Sequence, residues 1–181
     1  EIMEMTIARE RWQQHLKTQG RYYQDMGTEL SRLHASHPTV GADVAALAHQ
    51  ALAIVLEACR TGRLTRNQHV LFRIGELIAF TETAGVFAKA AAAAIDGTRF
   101  EKNPNRFTGD ALAAMSRVFA REAAQKVGLD GSRWVAGAAE PGSPAVAAVN
   151  AIPTAAILAA QAGLVTDMNY VADVLYGRLD G

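Results

Sequence analysis

Few side chains in this sequence have the types and spacing that chemistry requires. His34 and His37 stand three apart near a predicted helix end, and His49 lies further on. A di-metal helical bundle uses Glu-x-x-His pairs, because that spacing turns both ligands inward. The chain contains no such pair, so these histidines read as surface or capping groups. Glu76 and Glu82 could serve as acid and base only on a shared face. At 100° per residue they sit about 120° apart around the helix axis. Glu82 lies nearer the apolar stripe and is the one that could face a cleft, but ion pairing is the reading the spacing favours. Cys59 lies near a helix C-terminus, whose negative end raises a thiol pKa and opposes nucleophilic use. It reads as packed and inert.

Arg60, Arg63 and Arg66 cluster around Gly62. Phosphate prefers a helix N-terminus, and only a start at Thr65 offers one nearby. Charge compensation at helix ends is therefore the expectation. Tyr22, Tyr23 and Trp134 are amphipathic rings that could mark an interface, although ordinary packing is the commoner use. No G-x-G-x-x-G, P-loop or G-x-S-x-G pattern occurs. The residues themselves assign no catalytic, cofactor-binding or metal-binding position.

The elements that would position these groups are helices. The 181 residues are 50% hydrophobic and 20% charged, enough for one packed core. Alanine makes up roughly a fifth of the chain and costs least in a helix. Strand-type alternation is almost absent. A polar lead-in over 1–38 reads as one or two helices around Gly20, ended by His37-Pro38. A second helix spans about 40–60, where Val44, Leu47, Ala51, Ile54 and Ala58 form a stripe that Leu52, Val55 and Leu56 widen. Gly62 is placed to act as a left-handed C-cap. Thr65 with Gln68 matches a capping box for a third helix over 66–95. The small residues from Ala84 to Ala94 predict close helix packing there.

Asp96-Gly97 and Asn103-Pro104-Asn105 read as a break and a loop. Thr108 is the expected N-cap of a fourth helix striped by Leu112, Met115, Phe119, Ala123 and Val127. Gly128 and Asp130-Gly131 are expected to interrupt it, with a short turn at 132–135. Ser143-Pro144 reads as N-cap and N1. Residues 145–165 are apolar enough to raise a spanning helix, but Asn150, Pro153 and Gln161 favour buried helices. A last helix is expected over 166–178. The expected fold is all-α: an up-and-down bundle of about four main helices over 39–181, with extra terminal helices.

Eighteen basic and eighteen acidic residues balance, which argues against a nucleic-acid grip. One cysteine excludes an intramolecular disulfide. The N-terminus lacks a secretory pattern, so a cytoplasmic location is expected. A start at Glu1 rather than methionine is what a fragment or processed product would show.

The stretch Ala58-Cys59-Arg60-Thr61-Gly62-Arg63-Leu64-Thr65-Arg66-Asn67-Gln68, leading into Val70-Leu71-Phe72-Arg73-Ile74-Gly75-Glu76-Leu77-Ile78, resembles the C-terminal helical region of long-type, very-long-chain-like acyl-CoA dehydrogenases. Asp110 to Ala124 is similar to the next helix of that region. The ending, from Gln161-Ala162-Gly163-Leu164 to Leu175-Tyr176-Gly177-Arg178, resembles bacterial members. The resemblance spans about 40–178 and rests on alanine-rich helices with punctuation. It implies a non-catalytic domain that packs on a flavin-binding catalytic body or a second subunit. Homo-oligomers and peripheral membrane contact are implied with it. FAD and the α,β-dehydrogenation of acyl-CoA would belong to the parent enzyme. The family's aromatic-Glu-Gly catalytic context has its nearest match in Phe100-Glu101-Lys102, which lacks the glycine, so no catalytic residue or flavin contact carries over. A free-standing helical adaptor or oligomerisation module is the alternative. An enzyme working through Glu82 or Glu76 beside a bundle cavity is a third.

Overall fold

A computed structural model describes residues 2–98 and 106–179. The 103–105 loop and the Phe100-Glu101-Lys102 match lie outside the described residues. Among the described residues all regular structure is helical: α1 (Ile2–Lys17), α2 (Tyr22–Ser36), α3 (Ala42–Thr61), a 3₁₀ turn (Leu64–Arg66), α4 (Gln68–Ile95), α5 (Gly109–Ala138), α6 (Pro144–Val149), α7 (Thr154–Ala159) and α8 (Leu164–Leu175). The all-α class expected from composition is the class observed.

The widened stripe of α3 makes it the central helix. Leu52, Val55, Leu56 and Ala58 are fully or almost fully buried, and α2, α4, α5 and α6 all pack against it. α5 packs on both α3 and α4, α1 lies along α4, and α2 lies along α3. The small-residue half of α4 packs closely: Ala84, Ala88 and Ala91 are wholly buried. Burying these alanine and branched side chains supplies the main stabilisation, at roughly 25 cal/mol per Å² of apolar surface.

Two of the predicted caps form. The Thr108 hydroxyl accepts from the Ala111 amide at 3.2 Å and opens α5. Ser143 accepts from Val146, with Pro144 in the first turn of α6. The other end signals fall differently. Asn67, not Thr65, caps α4, its side-chain oxygen accepting from His69 at 2.9 Å and Val70 at 3.3 Å. Residues 64–66 are spent in the 3₁₀ turn, which moves the start of α4 past Thr65. Gly62 keeps a right-handed backbone, and Arg63 takes the left-handed one with φ 54°. The site is tight: a Cβ at 62 would lie 3.0 Å from Ala145 and Leu64 side-chain carbons, so these would have to shift to admit one.

The break expected at Gly128 and Gly131 does not occur: α5 runs unbroken from Gly109 to Ala138. The two glycines are contact points instead. A Cβ on Gly131 would meet Val55 Cγ2 at 2.5 Å, and one on Gly128 would meet Ile157 Cδ1 at 2.9 Å. Tertiary approach, not helix termination, explains them.

Residues 145–165 form two short helices that are only partly buried. Ala145, Val149, Ile152 and Ile157 face inward, while Leu158 is 73% exposed. The final helix covers Leu164–Leu175, with Gly163 at φ 80° before it. By length and composition α3 and α4 could cross a membrane, with 72% and 39% of their apolar windows buried within the bundle. The pair α6–α7 with α8 passes the same test only as a unit bent by 63°.

Candidate functional site

Glu82 is a half-buried carboxylate set among polar partners. α4 carries it against α1 and α2. Arg11 Nε and Nη2 donate to its two oxygens at 2.5 and 3.0 Å, and the Tyr23 hydroxyl donates at 2.8 Å. Burial holds the Tyr23 phenol far above its ordinary range, with the neighbouring Glu82 charge acting in the same direction. The hydrogen bonds to Glu82 raise the Arg11 guanidinium in turn. A general base needs an oxygen aimed at a substrate proton. Both Glu82 oxygens are instead occupied by a bidentate guanidinium, the geometry of a tie between helices.

Glu76 faces a different neighbour, as its angular offset from Glu82 requires. It accepts from Arg73 at 3.2 Å and pairs with Lys126 of α5 at 3.0 Å. Burial pushes the Glu76 carboxyl up, but the Lys126 and Arg73 hydrogen bonds outweigh it and leave the group below its usual range. The two glutamates therefore bind α4 to separate helices and share no cleft.

The histidines are dispersed. His34 lies 3.4 Å from Asp43, and His37 lies 3.0 Å from Asp96. His49 is fully buried in α3, with Nδ1 2.8 Å from the Ala45 carbonyl and Nε2 without a partner. Its ring abuts Gly85 of α4 and leans on Tyr23. Among the described residues no three His, Cys, Asp or Glu side chains converge as metal ligands. Cys59 is buried, and desolvation pushes its thiol up to about 12. Its inertness follows from burial rather than from the helix end. Arg60 is held by Glu57 at 2.6 and 2.9 Å, the charge compensation expected of it.

Two networks escape sequence reading. His15 is buried between Trp12 and Gly20, with Nε2 3.3 Å from Glu57 of α3. His15, Gln19, Glu57 and Arg60 line a small open pocket of about 270 Å³. The second network joins α5 to the chain end. Arg121 Nε and Nη2 donate to the carbonyls of Ala160 and Ala162 at 2.8 and 2.9 Å, and Nη1 donates to Asp167 at 2.5 Å. Arg117 donates to both oxygens of the same aspartate and to the Thr39 carbonyl at 2.6 Å. Asp167 is held below the usual carboxylate range, first by Arg117. The i,i+4 spacing of Arg117 and Arg121 on α5 is a visible signal; their partner, far along the chain, is not.

Between α5 and α7 lies an apolar groove of about 250 Å³, lined by Gly128, Leu129, Ile157, Leu158 and Gln161 among others. Leu158 at its rim, Val165, Met168 and Leu175 of α8 and the following Tyr176 are exposed. Of the rings singled out in the sequence, Tyr23 is core, Tyr22 packs partly buried against the core and Trp134 is half-buried. No known protein family, curated protein or solved structure matches this chain.

Proposed function

We propose that this chain is a non-catalytic helical domain that docks on a larger partner: the C-terminal domain of an FAD-dependent acyl-CoA dehydrogenase, packed on the catalytic body or on a second subunit. The observation that carries the docking part is the uncovered apolar face of α7 and α8. Five large side chains there are 48–77% exposed, although the Arg117–Arg121–Asp167 network holds the face in place. A rigidly held apolar face is a surface suited to a partner. The best-placed carboxylates, Glu82 and Glu76, serve as ties between helices, which supports a packing role. The dehydrogenase identity rests on the likeness of residues 58–78, 110–124 and 161–178 to that family's C-terminal helices. In the parent enzyme the catalytic body would remove the α proton of the thioester and pass the β hydride to flavin.

The test is spectroscopic. The native polypeptide should carry a flavin absorption band that bleaches on addition of an acyl-CoA, and the isolated 181-residue chain should carry none. A native polypeptide without flavin overturns the dehydrogenase reading in favour of a free-standing adaptor. Flavin held by the isolated chain overturns the non-catalytic assignment.

A further inference from the structure

A second surface has a chemistry of its own. The segments 60–73 and 131–139 contain Arg60, Arg63, Arg66, Arg73 and Arg133 and no aspartate or glutamate, in a chain whose charges otherwise balance. Trp134 of α5 brings the two segments together. Arg73 of α4 lies over the indole at 5.6 Å, Arg133 lies over it at 4.7 Å, and His69 meets it edge-on at 5.0 Å. Arg66, exposed at the end of the 3₁₀ turn, lies three residues before His69 in the chain.

Nearby carboxylates neutralise only part of this charge. Glu57 takes Arg60, and Glu76 is shared between Arg73 and Lys126. Among the described residues Arg63, Arg66 and Arg133 form no ion pair. Arg73 has given Nη1 to Glu76, whereas Arg133, over the same indole and held by no carboxylate among the described residues, keeps its N–H groups available, and a guanidinium fork matches the two oxygens of a carboxylate. The ring contact restricts where the Arg133 guanidinium sits, so less of its freedom is lost on binding.

We infer that the Arg66–His69–Arg73–Arg133–Trp134 platform is a docking site for an acidic segment of a partner protein. Its carboxylates would meet Arg133 and Arg66 while its apolar groups contact the indole edge. Nucleic acid fits less well, because it needs a continuous basic track and the remainder of the chain is balanced. A lipid surface fits less well, because no large hydrophobic residue in 60–73 is exposed and Leu129, one turn before Arg133, offers a single apolar side chain to insert beside the charges. This inference stands independently of the dehydrogenase reading.

The experiment measures anisotropy of a fluorescein-labelled oligoglutamate peptide with the 181-residue chain at low and moderate salt. Binding is expected for the unmodified chain, weakening by about tenfold or more in the Arg66→Gln/Arg133→Gln variant. Arg133→Lys, which keeps the charge but loses the fork, should recover only part of the affinity lost by Arg133→Gln. Arg178→Gln removes an exposed charge elsewhere and should leave binding unchanged. Circular dichroism confirms that each variant is folded. No binding, equal loss in Arg178→Gln, or tighter binding to an oligothymidylate or to phosphatidylserine vesicles than to the peptide overturns the proposal.

Discussion

The hydroxyl of Tyr23 donates to Glu82 at 2.8 Å across 59 residues of sequence, in the same place where Arg11 closes a two-point ion pair on that carboxylate. Three helices meet at one acidic group. α1, the most polar helix, is fastened to the bundle there and at His15–Glu57.

Replacing Glu82 with glutamine should therefore destabilise the fold and not abolish any turnover. The variant leaves Arg11 without its countercharge, which costs about 1–3 kcal/mol. Tyr23→Phe removes one donor while the guanidinium still satisfies the carboxylate, so its loss should be smaller, about 1 kcal/mol. Urea midpoints at neutral pH read both. Equal stability of Glu82→Gln and the parent would show the tie to be idle.

Asp167 and Arg121 lock α8 to α5. Asp167→Ala leaves a largely buried Arg121 unpaired and should cost about 3 kcal/mol. It should also open residues 160–163 to protease before the rest of the chain unfolds, which timed digestion and mass spectrometry would register. Because the folded Asp167 carboxyl sits below its ordinary range, its contribution is present above the unfolded value and is lost as pH falls through the folded one. The parent should accordingly lose stability in strongly acidic buffer more steeply than Asp167→Asn.

His15 and His49 set a second pH dependence. Burial holds both imidazoles below their ordinary range, His15 in spite of the Glu57 hydrogen bond. Both rings are neutral when folded, and the unfolded chain takes up protons first as pH drops below about 6.5. Stability should be full at pH 7 and above and decline toward pH 5, by at most about 1.4 kcal/mol per pH unit for each ring. Thermal midpoints across that range should fall less steeply in His49→Leu than in the parent. Parallel slopes would exclude His49 as a source.

The glycines of α5 separate packing from propensity. Gly137 has no atom within 4 Å of an added Cβ, so Gly137→Ala should stabilise by about 0.5–1 kcal/mol through helix propensity alone. Gly131→Ala forces a methyl toward Val55 and should destabilise by about 1–3 kcal/mol despite the same propensity gain. Adding Val55→Ala should restore much of that loss, and a double-mutant cycle measures the coupling. If Gly131→Ala stabilises as Gly137→Ala does, the close approach of α3 and α5 is not tight.

Local patterns carried the all-α class, the widened apolar stripe of α3, the close packing after Ala84 and the caps at Thr108 and Ser143, because a 3.6-residue stripe and a side-chain cap are written within a few neighbouring residues. The same local logic misassigned Gly128 and Gly131. A glycine that ends a helix and one that admits Val55 look alike until the facing helix is present. It also predicted Glu76 and Glu82 on different faces but could not name Lys126, Arg11 or Tyr23 as their partners. Pairings such as Arg121 with Asp167, His15 with Glu57 and Arg73 with Trp134 exist only after helices distant in the chain pack together. Their energy comes from burial and geometry that no single segment contains, so the sequence by itself determined the helices and their apolar faces, and tertiary packing decided which polar groups meet between them.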